Sequence, residues 1–239
     1  MRASKRRHSC GKIPESYWGD EMRSRVTCFL VITMLFLALC VSACAQSSYR
    51  SLCEQREIDG KNVIAWLEIP GMSLCEPVMR HPQDDAYYAK HDAAGRENQI
   101  GSLYVQAGYN GADFSDPVTL VYGSSLMEDS LFGRLQEQYS GNFEACRSLY
   151  VHLPEADIEY TVFAALPYSS IHILHYYDFG IKRRFEGFFD QVFSTRALGM
   201  HLVKADRPDA GKNDVLILST GLRGDPLQRY LVMAKKTAL

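Results

Sequence analysis

The sequence has no excess of charge of either sign, and it has no internal repeat. Its 26 Lys and Arg residues nearly balance 28 Asp and Glu residues, which gives a formal net charge of −2. This balance argues against a nucleic-acid partner and against an acidic, solvating tail. The absence of repeats and low-complexity segments excludes a solenoid. The 239 residues are enough for one domain of ordinary size with additional segments.

Cysteine is scarce beyond residue 45. The chain has seven cysteines in all, and the three that follow residue 45 are Cys53, Cys75 and Cys146. They are too few and too unevenly spaced for a disulfide framework or a zinc site. We therefore expect them to pack as small apolar side chains, and we expect neither a metal nor another cofactor.

One long uncharged run occurs, at positions 26–45, "VTCFLVITMLFLALCVSACA", after a basic segment at 1–25. About 20 apolar residues can span a bilayer, and the basic flank would remain in the cytoplasm. The run is either an uncleaved signal anchor or a lipoprotein signal that starts at Met22. In the second case "VSAC" resembles a bacterial lipobox and Cys44 is lipidated, so that 1–21 is a wrongly assigned start or an extension. Both alternatives predict a cell-membrane protein whose domain faces the extracytoplasmic side.

The remainder divides into a polar linker at 46–56 and a domain at 57–239 that is rich in short apolar segments. Strands are predicted around the Pro70-Gly71 turn, at 101–106 and 118–123, on both sides of a turn at 154–157, and near the C-terminus. Two helices are predicted. The first, at 125–141, begins with a capping box formed by Ser125 and Glu128, and the second, at 184–199, carries core-packing phenylalanines. Many strands with few helices favour a closed barrel or a sandwich, so the fold class is mainly β.

The C-terminal stretch "DVLILSTGLRGDPLQRYLVMAK" predicts strand, turn, strand. The first apolar run ends at Ser219, Thr220 and Gly221, and a polar loop containing Gly224 and Pro226 follows. Arg229 would stand where the second strand begins. This layout suits an active site at the rim of a sheet, but Gly221 has no side chain to present there.

Four segments of residues 57–237 match the sequence blocks of one protein family in the same order: "AWLEIPGMSLCEPVM", "DDAYYAKHDAAGRENQIGSLYVQ", "TLVYGSSLMEDSLFGRL" and "LILSTGLRGDPLQRYLVMAK". On these segments the chain resembles the class B sortases. The resemblance implies a closed eight-stranded sortase-type β-barrel with N-terminal and inserted helices, displayed outside a Gram-positive membrane.

Sortases cut a sorting signal in a partner protein and join it to a peptidoglycan precursor. A cysteine forms a thioester, a histidine transfers protons, and an arginine stabilises substrate and oxyanion. The resemblance places the cysteine at Gly221, the histidine at Ser124 and the arginine at Arg229, so only the arginine is retained. It therefore implies a pseudo-enzyme that binds a sorting-signal peptide, a cell-wall precursor or an active sortase. Arg229, Ser219 and Thr220 are the candidate substrate-binding residues.

The alternative is a cysteine-independent transpeptidase or hydrolase that anchors surface proteins to peptidoglycan. Its nucleophile would be Ser219 or Thr220, although strand alternation turns Thr220 away from the face of Gly221. Its base would be His172 or His175. These two histidines could also suggest a metal, but we expect surface or packing roles for them.

Overall fold

A computed structural model describes residues 62–128 and 131–237. The predicted boundaries after residues 25, 45 and 56 lie outside these ranges, as do Cys44 and Cys53. No helix within the described ranges is long and apolar enough to cross a membrane. The predicted anchor at 26–45 lies outside those ranges.

Nine strands in the described part of the chain form one sheet. They are β1 (Val63–Ile69), β2 (Leu74–Met79), β3 (Leu103–Tyr104), β4 (Val118–Tyr122), β5 (Ser148–His152), β6 (Asp157–Ser169), β7 (His201–Leu202), β8 (Val215–Leu222) and β9 (Asp225–Lys236). Three α-helices lie in the described part of the chain: α1 (Leu135–Gly141), α2 (Ile173–Tyr176) and α3 (Lys182–Ser194).

The sheet closes into a barrel. Its strand order is β5-β1-β2-β3-β4-β8-β9-β6-β7, and β5 also pairs with β6. Eight strands therefore form a ring, with the two-residue β7 attached to β6. The β2–β3 and β4–β8 pairs are parallel, whereas the other pairs are antiparallel. The predicted closed, mainly β barrel of eight strands is confirmed.

Side chains of β4, β6, β8 and β9 alternate between two apolar layers. On β8, Leu216 and Leu218 belong to the core inside the barrel, whereas Val215 and Ile217 pack in a second core on its outer surface. Helix α3 covers that outer layer with buried side chains at Phe185, Phe188, Phe189 and Val192. The prediction that these aromatic residues pack in a core is therefore confirmed.

Within the described ranges, Cys75 and Cys146 form no disulfide. Cys146 is fully buried, and burial raises the pKa of its thiol, as expected for a small apolar packing residue. Cys75 is half-buried.

Three predicted elements differ from the observed ones. Helix α1 begins only at Leu135. The predicted capping box at 125–128 does not form, because the side chains of Ser125 and Glu128 bond to distant parts of the chain. The strand predicted at 101–106 is limited to β3.

The third difference concerns the C-terminal strands. Only Arg223 and Gly224 separate β8 from β9, so the predicted polar loop is a tight hairpin. Gly224 has a φ of 86°, a conformation that glycine adopts without a steric penalty. Strand β9 therefore starts at Asp225, and Arg229 lies within the strand instead of at its beginning.

Candidate functional site

A cavity of about 270 Å³ opens beside the ends of β3, β4, β8 and β9. It is lined by Ala89, Gln99, Ile100, Ser102, Tyr104, Tyr122, Gly123, Ser124, Ser125, Leu126, Gly221 and Arg229. The three positions that the resemblance assigned to catalysis are therefore neighbours, although Ser124 lies far from the other two in the sequence.

Strand register explains how the cavity is assembled. Tyr104 pairs with Tyr122 and Tyr122 with Ser219, which gives one row across the sheet. Gly221 pairs with Arg229 in the next row, two residues further along β8. Ser219 and Gly221 share the outer face because they are two residues apart. Between them, Thr220 faces the barrel interior.

Thr220 does not line the cavity. Its side chain is buried, and its hydroxyl has no hydrogen-bond partner within the described ranges. Its strand partner Tyr230 belongs to the core inside the barrel. The alternation argument for Thr220 is thus correct, and the geometry gives no support for its predicted contact with a ligand.

Ser219 acts on the cavity through Arg229. The guanidinium donates from Nε to Ser219 Oγ at 2.7 Å and from Nη2 to the Ser219 carbonyl at 3.2 Å. Its Cζ lies 5.5 Å from the centre of the Tyr122 ring, which is cation–π distance. Ser219 is itself buried and does not line the cavity, so it positions the arginine instead of contacting a ligand.

Within residues 62–128 and 131–237, no acidic side chain pairs with Arg229. None of the ion pairs in the described part of the chain includes Arg229. Burial lowers the pKa of its guanidinium, and the nearby Tyr122 and Tyr104 oppose this shift. Arginine nevertheless stays protonated in proteins, so the cavity holds a partly buried cation.

At Gly221, the space for a side chain is bordered by Ser125. An added Cβ would lie 3.2 Å from Ser125 Oγ, and that hydroxyl donates to the Gly221 carbonyl at 3.1 Å. A side chain at this position would therefore require the Ser125 hydroxyl to move by a few tenths of an ångström.

Ser124 is engaged locally. Its hydroxyl accepts a hydrogen bond from the backbone N–H of Leu126 at 3.2 Å, and its carbonyl accepts from the N–H of Phe132 at 3.1 Å. These bonds fix the turn that follows β4. A hydroxyl cannot exchange protons near neutral pH as an imidazole does, so Ser124 offers no proton shuttle.

His172 and His175 do not line this cavity. His172 Nδ1 accepts from the N–H of His175 at 3.1 Å at the start of α2. Tyr109 packs on the His172 ring at 4.6 Å, and its hydroxyl lies 3.3 Å from His175 Nδ1. Within the described ranges, no group of three or more His, Cys, Asp or Glu side chains could hold a metal ion.

Two tyrosines of the cavity were not anticipated from the sequence. The rings of Tyr104 and Tyr122 stack with centroids 5.3 Å apart, and burial raises the pKa of both hydroxyls. Each tyrosine lies at the end of a short strand, and this position is the signal by which the sequence could have indicated them. Only the β3–β4 pairing shows that they meet.

Comparison with known proteins finds similarity in structure alone. No family model and no curated protein sequence matches the chain. Among solved structures, Staphylococcus aureus sortase B in complex with substrate matches at a TM-score of 0.65 and 18% identity, over 92% of this chain and 99% of that one. Sortase B from B. anthracis in complex with AAEK1 matches at 0.65 and 20%, over 82% and 88%. Clostridium perfringens sortase B matches at 0.63 and 17%, over 77% and 97%.

The chain has the sortase fold. At these identities the likeness concerns the fold alone, so the site must be judged by its own chemistry. In this sortase-fold chain, Ser124, Gly221 and Arg229 line one cavity. The cavity contains a cation and several hydroxyls, and its described lining includes neither a thiol nor an imidazole.

Proposed function

We propose that this chain is a catalytically inactive, class B sortase-like protein. Its cavity binds a sorting-signal peptide, a cell-wall precursor or a segment of an active sortase without cutting it. The observation that carries the proposal is the cavity itself, where Arg229 is present while Gly221 and Ser124 supply neither nucleophile nor proton shuttle.

Among the described residues, no base is bonded to the serine hydroxyls of the cavity. Ser124 accepts from a backbone N–H, Ser125 donates to the Gly221 carbonyl, and Ser102 donates to the His91 carbonyl at 3.0 Å. In residues 62–128 and 131–237, none of these three hydroxyls bonds to a histidine ring or a carboxylate. A serine needs such a partner to become a nucleophile, so the cysteine-independent alternative gains no support from the geometry.

A ligand would improve the environment of Arg229. Removing a cation from water costs free energy unless an acceptor replaces the lost hydration. Ser219 supplies two acceptors, but both are uncharged. An acceptor group on a bound peptide would bond to the remaining N–H donors of Arg229, which is why the retained arginine supports binding.

The proposed location rests on the sequence. The uncharged run at 26–45 and the basic segment before it are typical of a membrane anchor or a lipoprotein signal. Either one would hold the barrel at the outer side of the cytoplasmic membrane, where sorting signals and wall precursors are present.

The test uses the full-length chain, purified in mild detergent. Fluorescent sorting-signal and wall-stem peptides are titrated against the parent, Arg229→Ala and, as a matched control, Arg196→Ala. The Arg196 guanidinium bonds to the neighbouring carbonyls of Phe193 and Thr195. We expect a loss of about ten- to a hundred-fold in affinity for Arg229→Ala alone, as for loss of a charged hydrogen bond.

Peptide integrity is followed by mass spectrometry in the same samples. We expect no cleavage above that of peptide alone. Specific turnover by the unmodified protein would overturn the inactive assignment. Equal affinities of the parent and Arg229→Ala would remove the arginine from the binding site.

A further inference from the structure

We propose that the cavity recognises a free carboxylate, the C-terminal end of a short peptide, by means of Arg229, Tyr104 and Tyr122. This inference deepens the proposed function and rests on it. It names the chemical group that the cavity is built to hold.

The orientation of the guanidinium is fixed and its remaining donors are available. Arginine has five N–H donors in one plane, and Ser219 engages one on Nε and one on Nη2. Nη1 has no hydrogen-bond partner within the described ranges. The planar group is therefore held in place before a ligand arrives, with further donors free to bond.

A carboxylate suits this group better than a peptide carbonyl. A carbonyl oxygen satisfies donors but leaves the positive charge uncompensated. A carboxylate accepts two parallel hydrogen bonds and neutralises the charge, and charged bonds of this kind are roughly twice as strong as neutral ones. Because Arg229 is partly buried and has no acidic partner in the described ranges, this difference should be large.

The two tyrosines add donors of the right kind. Neither the Tyr104 nor the Tyr122 hydroxyl has a hydrogen-bond partner within residues 62–128 and 131–237, and both residues line the cavity. Burial raises the pKa of each, although the charge of Arg229 acts in the opposite direction. Both hydroxyls thus stay protonated at neutral pH and can donate to an anion.

The described lining contains no competing negative charge. Asp85 acts on both tyrosines from outside the cavity, and its Oδ1 accepts from the N–H of Gly108 at 3.0 Å. Glu128, on the segment that follows β4, pairs with Arg223 at 3.1 Å. The balance of charge at the cavity is therefore positive.

The size of the cavity limits the ligand. Its volume of about 270 Å³ lies just below the range of roughly 300–1,000 Å³ for ligand pockets. Ile100 and Leu126 supply apolar lining beside the polar groups. The cavity thus fits one or two residues with small or apolar side chains next to the terminal carboxylate.

The test compares peptides that differ only at the C-terminus. Two pairs are titrated against the full-length chain: a truncated sorting-signal peptide and a wall-stem peptide, each as free acid and as carboxamide. We expect the acid to bind at least about tenfold more tightly than the amide in one pair, and that pair identifies the source of the carboxylate.

Variants assign the preference to its residues. Arg229→Gln should abolish the difference in affinity between acid and amide. Arg229→Lys should restore part of it, because an ammonium keeps the positive charge but not the two parallel N–H donors. Tyr104→Phe and Tyr122→Phe should each reduce acid binding about three- to tenfold. Tyr176→Phe, on an exposed side chain, is the matched control. Circular dichroism and thermal unfolding verify that each variant is folded.

The possible outcomes separate the two proposals. Equal binding of acid and amide would overturn the carboxylate inference and leave the peptide-binding function intact. An acid preference that persists in Arg229→Gln would place the carboxylate elsewhere and would also overturn it. If neither the acid nor the amide of either peptide binds, both the carboxylate inference and the proposed peptide-binding function are overturned.

Discussion

At residue 221, the backbone of β8 approaches Ser125 closely enough that the two positions must be considered together. The Ser125 hydroxyl bonds to the Gly221 carbonyl and lies 3.2 Å from the site of an added Cβ. A thiol introduced at 221 would therefore compete with this hydroxyl for space beside the cavity.

We predict that covalent chemistry can be installed by three changes together. Gly221→Cys with Ser124→His supplies the nucleophile and the proton shuttle, and Ser125→Ala removes the crowding hydroxyl. The triple variant should accumulate a thioester with a sorting-signal peptide, detectable as an intact-protein mass shift. The double variant should accumulate less, and each single variant little, because thiol and imidazole act as a unit.

The control for this series combines Gly221→Ala with the same two serine changes, which adds the bulk of a Cβ at position 221 but no thiol. A mass shift in that control would show that the adduct forms elsewhere. If the triple variant forms no more thioester than the single variants, the geometry at the end of β8 does not suit the reaction.

Asp206 gives a pH-dependent contribution to stability. Its carboxylate bonds to Lys235 at 2.9 Å and also to Arg147, and both contacts hold its pKa below the usual range. An acid with a lowered folded-state pKa stabilises the fold above its unfolded pKa of about 3.9, and this contribution is lost as the pH falls through the folded value.

We therefore predict that Asp206→Asn lowers the free energy of unfolding by about 1–2 kcal/mol at pH 7, from the loss of charged hydrogen bonds. Towards pH 2 the difference should vanish, because the parent carboxyl is then protonated as well. Urea titrations at a series of pH values measure both effects. A difference that is constant with pH would contradict the ionic origin.

On the scale of elements, Arg223 links the β8–β9 hairpin to the segment that follows β4. Arg223 donates from Nη2 to the Gly133 carbonyl at 2.6 Å and from Nη1 to Glu128 at 3.1 Å, and its N–H donates to Gln136 at 3.1 Å. This clamp holds the segment that carries Ser124 against the hairpin.

We predict that Arg223→Ala loosens this segment while the barrel stays intact. Backbone amides of Leu126 and Phe132 should exchange hydrogen about three- to tenfold faster, as expected for loss of one or two hydrogen bonds in a local opening. Amides of β4 and β8 should not change. Arg196→Ala serves as control, and equal exchange in parent and Arg223→Ala would show that the clamp has no effect on the segment.

The same contacts explain which elements the sequence could predict. Strands β4, β8 and the β5–β6 hairpin follow from local apolar patterns, and the shared face of Ser219 and Gly221 follows from alternation alone. The predicted capping box failed because Ser125 and Glu128 bond to residues 96 and 95 positions away. No local pattern shows such partners.

The start of β9 was missed for a similar reason. Asp225, Pro226 and Gln228 are typical of a loop, but β6 is long enough to pair with this segment as far as Gln228. Tyr104 and Tyr122 likewise meet only through the β3–β4 pairing. The cavity therefore depends on strand register, which a single sequence does not specify.

On the scale of the whole molecule, the described strands between Val63 and Lys236 close the barrel among themselves. We predict that residues 57–237 fold alone, with a mainly β circular dichroism spectrum and one cooperative unfolding transition in urea. The full-length chain in detergent is the reference. A predominantly helical spectrum, or the absence of a cooperative transition, would contradict an autonomous barrel.

The last prediction concerns how the chain is held at the membrane, which the sequence leaves as two alternatives. Cells expressing the protein are labelled with a palmitate analogue, and the parent is compared with Cys44→Ala and with Cys40→Ala, a matched change in the same apolar run that the lipobox does not use. A lipoprotein should lose the label in Cys44→Ala only, because its acyl chains are attached through that residue. An uncleaved signal anchor should carry no Cys44-dependent label and should remain in the membrane fraction in all three forms. A protein released freely into the medium would contradict both modes of anchoring.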